Sequence, residues 1–323
     1  MRKRSDGFPA RQLATALVLV CLGAIAMAAK APAPGPARHS PAAATAGQVT
    51  GIVGDETCAT CHDTQAKSLH QTLHGKSQNG KTPAAKAGQA CETCHGPGQR
   101  LVDSGKKEDI VRFATLKARD ANEACLSCHA KNATHAAGWQ GSLHDARNVS
   151  CVSCHSMHSP KSAKAQLKTA SAVDTCVSCH KQEAMKVQKS GHMPLREGKM
   201  DCTSCHSPHG STNVRMLKTG NTVNESCASC HAEKRGPFMW EHAAGRENCA
   251  SCHDPHGSNN DRMLVAKAPM LCQRCHVASR HPAAIYDGAQ LTAASNRMVG
   301  RSCVNCHAQI HGSNHPSGNM FLR

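Results

Sequence analysis

The chain has 323 residues, a formal net charge of +16, 21 cysteines and only 2% aromatic residues. An ordinary domain of this length buries many more large side chains, so the composition excludes a conventional hydrophobic core. The excess of basic residues on its own would fit a nucleic-acid-binding protein, an interpretation that the motifs of the chain have to support or exclude.

The first residues predict a secretory signal peptide over 1–28. Basic residues precede an apolar run, Leu13–Met27, which ends in the small-residue cleavage pattern Ala26-Met27-Ala28. The run is short for a membrane span, and a retained anchor is the alternative. Lipid attachment at Cys21 is disfavoured because Val20, directly before it, is not a small residue.

The next stretch, 29–48, is rich in alanine and proline, which is typical of an extended linker. We expect this linker to act as a spacer and not to contact a partner. His39 lies in it and is therefore not counted as a metal ligand.

Ten copies of Cys-x-x-Cys-His follow, and they contain every cysteine except Cys21. Their cysteines are Cys58, Cys61, Cys91, Cys94, Cys125, Cys128, Cys151, Cys154, Cys176, Cys179, Cys202, Cys205, Cys227, Cys230, Cys249, Cys252, Cys272, Cys275, Cys303 and Cys306. Their histidines are His62, His95, His129, His155, His180, His206, His231, His253, His276 and His307.

The spacing within each motif suits covalent haem. In one helical turn the three side chains lie on one face, where the thiols can add to the two vinyl groups of a haem and the histidine can bind its iron. Paired Cys-x-x-Cys motifs also form zinc sites, but zinc does not require histidine directly after the second cysteine. The pattern therefore predicts ten covalently bound haem c groups, which would replace the hydrophobic core, and a chain largely unfolded without them.

Haem also changes the charge argument. Residues 1–30 hold five basic residues and one acidic residue, which leaves 33 basic and 21 acidic residues, a net charge of +12. Ten haems add about −20 from propionates and about +10 from ferric porphyrin centres, for a total near +2. We therefore interpret the lysines and arginines as counter-ions and solvated surface, and expect no nucleic-acid partner.

The motifs recur in pairs. Motif starts at Cys125, Cys176 and Cys227 are 51 residues apart, and each repeat contains a motif, a single histidine, a second motif and another histidine three residues on. The phrases HSPHGS and HDPHGS, each followed by RML, align the repeats. The sequence thus predicts five units of two haems, named here by their motif starts: unit 1 (Cys58, Cys91), unit 2 (Cys125, Cys151), unit 3 (Cys176, Cys202), unit 4 (Cys227, Cys249) and unit 5 (Cys272, Cys303).

The remaining histidines are numerous enough to provide a second axial ligand for every iron. Of 23 histidines, ten belong to motifs and one to the linker, leaving 12 candidates for the second axial position. If one of His70 and His74 serves, the middle units add six and the last unit three, so the total is ten, with His135 spare. Some of these histidines could be lent by a neighbouring unit. Methionine is the rival ligand and would raise the potential of its haem, but the 12 methionines are better explained as packing residues.

The run from Cys227 through HAEKRGPFMWEH, NCASCHDPHGS and RML, and then RSCVNCHAQIHGSNHPSG, resembles the periplasmic decahaem cytochromes of the MtrA/DmsE family. The likeness covers nearly all of the chain after the linker. It implies a multihaem cytochrome c fold, mostly coil with short α-helices and little or no β structure, forming an elongated haem wire of two halves with about five haems each. We place these halves at 49–175, which contains four motifs, and at 176–323, which contains six. Tight turns at Pro-His-Gly favour the same fold.

The resemblance also implies the distal iron ligands, and it selects His74 rather than His70. They are His74, His144, His158, His192, His209, His242, His256, His281, His311 and His315. Two features depart from the family: GPGQR follows His95 where members carry another histidine, and the Ala/Pro-rich linker is unlike them.

By this resemblance the chain is an electron-transfer protein rather than an enzyme, in the periplasm and associated with the outer membrane. Its partners would be an outer-membrane β-barrel porin-like protein, an outer-surface cytochrome or terminal reductase, and periplasmic or inner-membrane electron-transfer proteins. The alternatives are a multihaem reductase of nitrite, hydroxylamine or tetrathionate with one open iron, and a soluble periplasmic electron-storage cytochrome. The chain has no Cys-x-x-Cys-Lys motif and a single tyrosine, Tyr286, which disfavours the reductase. The direction of flow, toward metal oxides or from Fe(II), depends on the partners.

Overall fold

The computed structural model describes residues 51–76, 78–130, 136–192, 195, 197–276 and 302–322. All of them belong to one compact unit, 40–323. The described part consists of short helices joined by turns and coil and contains no β-strand, so the predicted fold class is confirmed. Within these ranges no helix has the length and apolar character that a membrane span needs. The predicted signal peptide and linker lie outside the described residues.

The α-helices of the described part are α1 (Asp55–Ala59), α2 (Asp63–His70), α3 (Pro83–Lys86), α4 (Ala90–His95), α5 (Gln99–Ser104), α6 (Ala118–His129), α7 (Leu143–Ala146), α8 (Cys151–Cys154), α9 (Ala172–Val177), α10 (Lys181–Val187), α11 (Cys202–Cys205), α12 (Val223–Ala228), α13 (Ala232–Arg235), α14 (Ala243–Glu247) and α15 (Ala268–Gln273). Single 3₁₀ turns cover Lys107–Asp109, Val214–Met216, Cys249–Ser251, Asp261–Met263, Cys303–Asn305 and Gly318–Met320.

Two helices, α9 and α12, are short because each begins at a local cap and ends within the motif it carries. Ser171 accepts a hydrogen bond from the N–H of Asp174 at the start of α9, and Thr222 accepts one from Glu225 at the start of α12. Both caps stand five residues before a first motif cysteine. The motif histidine then ends the helical turn, and His180 is also the N-cap residue of the next helix, α10. These helices therefore serve mainly to present a motif.

Few apolar side chains are buried. The buried hydrophobic residues of the described part are Ala66, Leu69, Ala85, Ala90, Ala121, Trp139 and Leu217. Four of these are alanines, which contribute little burial, whereas Met239 and Met270 are 77% and 65% exposed. The described part of the polypeptide therefore has little hydrophobic core of its own, as expected if porphyrins supply the core.

The chain after the second motif of units 2, 3 and 4 folds back on that motif. Isolated antiparallel bridges join His155 to Leu167, His206 to Leu217 and His253 to Leu264. In units 3 and 4 the bridged leucine is the last residue of the repeated phrase RML, so this phrase marks a tight turn that covers the motif histidine.

Candidate haem-binding sites

Each Cys-x-x-Cys-His motif forms a helical turn. The N–H of His180 donates to the carbonyl of Cys176 at 3.0 Å, which brings both thiols and the imidazole to one side of the backbone. The same bond, at 2.9–3.0 Å, is made by His62, His155, His206, His231, His253, His276 and His307. All twenty motif thiols are free of disulfides, as thioether formation requires.

Thiols of neighbouring motifs lie side by side. Within each unit the first cysteines of the two motifs are within hydrogen-bonding reach: Cys58 and Cys91, Cys125 and Cys151, Cys176 and Cys202, Cys227 and Cys249, and Cys272 and Cys303. Burial, together with the neighbouring Cys249 thiol, raises the pKa of Cys227 to about 11.

Between units the second cysteines are the neighbours. These pairs, close enough for their charges to interact, are Cys94 and Cys128, Cys154 and Cys179, Cys205 and Cys230, and Cys252 and Cys275. The ten motifs are therefore neighbours in the order in which they occur in the chain, alternately through first and second cysteines.

A polar clamp holds the two motifs of a unit together. Asn224 accepts a hydrogen bond from the N–H of Cys249 at 2.7 Å and donates to the carbonyl of Arg246 at 2.8 Å. Asn122 holds Cys151 in the same way, and Asp55 accepts from the N–H of Cys91 at 2.9 Å. Sequence analysis missed these residues. The only signal was their shared position, three residues before the first cysteine of a unit.

The structure brings motif histidines and predicted distal histidines together in pairs. Among the described residues eight such pairs have ring centres 5.9–6.2 Å apart: His74 with His129, His95 with His158, His144 with His180, His155 with His209, His192 with His231, His206 with His256, His242 with His276, and His253 with His311. Two imidazoles that bind one metal ion from opposite sides at about 2 Å have ring centres about 6 Å apart.

All eight pairs join different units, and they obey one rule. The last histidine before the second motif of a unit pairs forward with the first motif of the next unit, as His192 does with His231. The first histidine after the second motif pairs backward with the second motif of the preceding unit, as His256 does with His206. Each interface between consecutive units is thus crossed twice, in opposite directions. Lending between units was anticipated from the sequence, but this rule was not.

The remaining histidines of the described part belong to the two end units. His62 and His315 are exposed and take part in none of the eight pairs. His315 accepts a hydrogen bond on Nδ1 from the N–H of Ser317 at 3.1 Å, and Nδ1 of His70 donates to the carbonyl of Gly75 at 3.0 Å. His135 and His281 lie outside the described residues.

Glycines allow the units to approach closely. Gly257 follows the lent His256 and has φ +125°, and a side chain on it would run into the carbonyl of Lys186 in unit 3. Gly210, after His209, meets the backbone of Gly138 of unit 2 in the same way. The Pro-His-Gly phrases, predicted as tight turns, therefore also mark contacts between units.

Burial keeps paired imidazoles in the form that binds iron. Desolvation lowers the pKa of His74, of His256 and of His311, so these rings are neutral near pH 7. A buried polar atom next to two pairs also fits a haem. Trp139 stacks near His144 and His209, and no partner for its buried Nε1 is present among the described residues. A propionate could accept a hydrogen bond from this indole. The thiol pairs, the opposed imidazoles and the indole thus fit haem c.

Comparisons with known proteins agree with this geometry. A family model for the doubled CXXCH motif matches residues 192–236 and 242–281, and one for NrfB-like c-type cytochromes matches 91–178. The chain is 42% identical over 280 residues to the multiheme cytochrome MtrA of Shewanella baltica, covering 84% of this chain and 81% of that protein. It is also 30% identical over 128 residues to the cytochrome c-type protein NrfB of Escherichia coli, covering 39% of this chain and 65% of that protein. Sequence and geometry lead to the same conclusion: the chain belongs to the MtrA family of multihaem c-type cytochromes and is an electron-transfer protein.

Proposed function

We propose that the chain binds ten haem c groups and carries electrons across the periplasm and the outer membrane as the cytochrome of a porin–cytochrome complex. Haem c supplies the ferric/ferrous couple that accepts and releases one electron. The observation that supports this most strongly is the unbroken series of neighbouring thiols from Cys58 to Cys303, which places every attachment site near the following one.

We assign the iron ligands from the ring pairs. In each of the eight pairs the motif histidine is the proximal ligand and its partner from the neighbouring unit is the distal ligand. The iron of His307 would take His281 or His315 from its own unit, and the ring pairs give no distal ligand for the iron of His62. For His315 this requires that the bond from Ser317 to Nδ1 be given up, because an acceptor at Nδ1 leaves the proton on Nε2.

Two imidazoles at each iron would favour electron transfer over catalysis. A reductase needs an iron with an open position for its substrate, whereas each pair of histidines would hold its haem iron from both sides. The protein would then tune each site through burial and hydrogen bonds to the ligands. No residue of the described part gives a specific reason to prefer the reductase or the storage protein.

The proposal also covers the export of the chain, its location in the cell and its electron-transfer partners. The signal peptide 1–28 would export the chain, the linker 29–48 would precede the haem-binding halves 49–175 and 176–323, and a β-barrel partner would hold the protein at the outer membrane. Electrons would pass between periplasmic or inner-membrane donors and an outer-surface cytochrome or terminal reductase, in either direction.

Ligation is tested by low-temperature EPR of the oxidised, haem-loaded protein, integrated against haem per chain. We expect ten haems and low-spin iron throughout. One high-spin iron per chain would contradict full bis-histidine ligation, and small oxyanions would then be tested as substrates.

The conduit is tested in vesicles. The chain is co-purified with its barrel partner and inserted into vesicles that contain a redox dye, and a membrane-impermeant reductant is added outside. We expect reduction of the dye. Replacing Cys176 and Cys179 by alanine removes one middle attachment site and should slow the reduction at least tenfold. Equal rates with and without that site would contradict a path through consecutive motifs, and failure to co-purify would favour the storage protein.

A further inference from the structure

A strained turn lies against the second motif of each middle unit. In unit 2 it consists of Ala165 and Gln166, which have φ of 61° and 50° although neither is glycine. Left-handed backbone costs about 1–2 kcal/mol per residue for ordinary side chains. Arg215–Met216 and Arg262–Met263 adopt the same conformation in units 3 and 4, with φ of 53–56°. Strain that recurs at one position of a repeat points to a function.

The first residue of each turn offers its carbonyl to a motif histidine. A carbonyl only accepts hydrogen bonds, so Nδ1 of the imidazole donates: His155 to Ala165 at 2.7 Å, His206 to Arg215 at 3.0 Å and His253 to Arg262 at 2.9 Å. The second motifs of the end units reach the same result by other backbone paths, with His95 donating to Val111 at 2.7 Å and His307 to Met320 at 2.6 Å. This bond fixes the ring and leaves Nε2 free for iron.

The second residue of the turn has an additional role only in unit 2. Its side-chain oxygen, Gln166 Oε1, accepts a hydrogen bond from Nδ1 of His74 at 2.9 Å, across 92 residues of sequence. Gln166 is only 8% exposed, and methionine occupies the same position in units 3 and 4. A buried glutamine in left-handed backbone is unfavourable unless its side-chain amide is hydrogen-bonded. Here the amide oxygen binds the imidazole of His74.

The partner of His74 is His129, the motif histidine of the Cys125 site, at a ring-centre distance of 5.9 Å. The turn 165–166 therefore touches one imidazole from each site of unit 2: His155 through a backbone carbonyl and His74 through an amide side chain. The two sites are neighbours through Cys125 and Cys151.

We propose that Gln166 is a positioning residue that fixes His74 as the distal ligand of the Cys125 haem and lowers the reduction potential of that haem. The proposal rests on the axial ligation proposed above. An acceptor on Nδ1 gives the imidazole more anionic character, so it donates more strongly to iron and stabilises the ferric state.

Two substitutions in the full-length, haem-loaded protein test this with opposite signs. Gln166→Met removes the acceptor but installs the side chain that units 3 and 4 tolerate in the same conformation. Gln166→Glu replaces the amide oxygen by a carboxylate, a stronger acceptor. Potentiometric titrations followed by visible absorbance and EPR should show a positive shift of one haem in the first variant and a negative shift of one haem in the second, with the other nine unchanged.

The controls separate this proposal from the ligand assignment. His74→Ala should create one high-spin iron, and a fully low-spin spectrum would refute the ligand assignment itself. If His74→Ala behaves as expected but the two Gln166 variants shift the potential in the same direction, or leave it unchanged, the role of Gln166 is refuted. Met216→Leu, at the equivalent position of unit 3, should shift nothing. If the Gln166→Glu chain does not accumulate, the comparison of Gln166→Met with Met216→Leu decides: equal shifts overturn the proposal.

Discussion

Gly257→Ala is expected to open the interface between units 3 and 4. Gly257 has φ +125°, a region of backbone that is essentially restricted to glycine. A methyl group there would overlap the carbonyl oxygen of Lys186 and lie 3.1 Å from the Cα of Gly191. Both neighbours are backbone, so neither can rotate away, and the two units have to separate.

The expected cost follows from two terms. Forcing alanine into this conformation costs about 1–3 kcal/mol, and relieving the overlap by moving backbone costs about another 1–3 kcal/mol. The sum, about 2–6 kcal/mol, corresponds to a melting temperature lower by roughly 5–20 °C in a protein of this size. The shift should also disturb the imidazole of His256, directly before Gly257, and therefore the pair that it forms with His206.

The assay is thermal unfolding of the haem-loaded chain, followed through the Soret band, together with EPR of the iron spin state. The matched control is Gly198→Ala in unit 3. Gly198 also has a positive φ, +68°, but a methyl group on it would meet nothing within 4 Å. It should lose only the left-handed penalty of about 1–2 kcal/mol and keep every iron low-spin. If the two variants melt at the same temperature with unchanged EPR spectra, the close approach of units 3 and 4 is wrong.

Three further substitutions test other contacts. Asn224→Ala should lower the unfolding free energy of the haem-loaded protein by about 1–3 kcal/mol, because the N–H of Cys249 loses its acceptor; denaturant unfolding measures this, and Asn224→Asp, which keeps an acceptor, should lose less. His242→Met should raise the potential of one haem, that of His276, since a thioether ligand favours ferrous iron; a titration with no shifted haem would contradict this pair. Trp139→Phe keeps the aromatic contacts but removes the buried N–H, and should cost about 1 kcal/mol if that N–H binds a propionate; an unchanged melting temperature would contradict that bond.

Much of the site could be predicted because its chemistry is local. Two thiols and an imidazole within five residues define an attachment site whatever the rest of the chain does. The repeat period and the Pro-His-Gly turns likewise predicted short helices and coil, which the structure confirms. The low aromatic content predicted that the chain lacks a core of its own, and the short list of buried apolar residues agrees.

The pairing of histidines could not be predicted, because it depends on packing between units. His192 and His209 look equivalent in the sequence of unit 3, yet one lies against unit 4 and the other against unit 2. The strained turns were also hidden. Arginine and methionine have no preference for left-handed backbone, so Arg262 and Met263 would be assigned to helix or coil from propensity alone. The only signal for them was the recurrence of the phrase RML.

The pairing rule accounts for the uneven distribution of histidines along the chain. A unit sends one imidazole forward and one backward, so a first unit has no preceding unit to receive a backward one. This is why GPGQR, without histidine, can follow His95.

The same rule leaves two irons without a neighbouring unit, at His62 and at His307, however many units lie between them. Their distal ligands have to come from outside the repeating pattern, and spare histidines are needed only at the ends. The sequence has such histidines in both end units, His70 in the first and His281 and His315 in the last, and one more, His135, in unit 2. Adding or removing a middle unit would then change the number of proposed haems by two while leaving both end sites as they are.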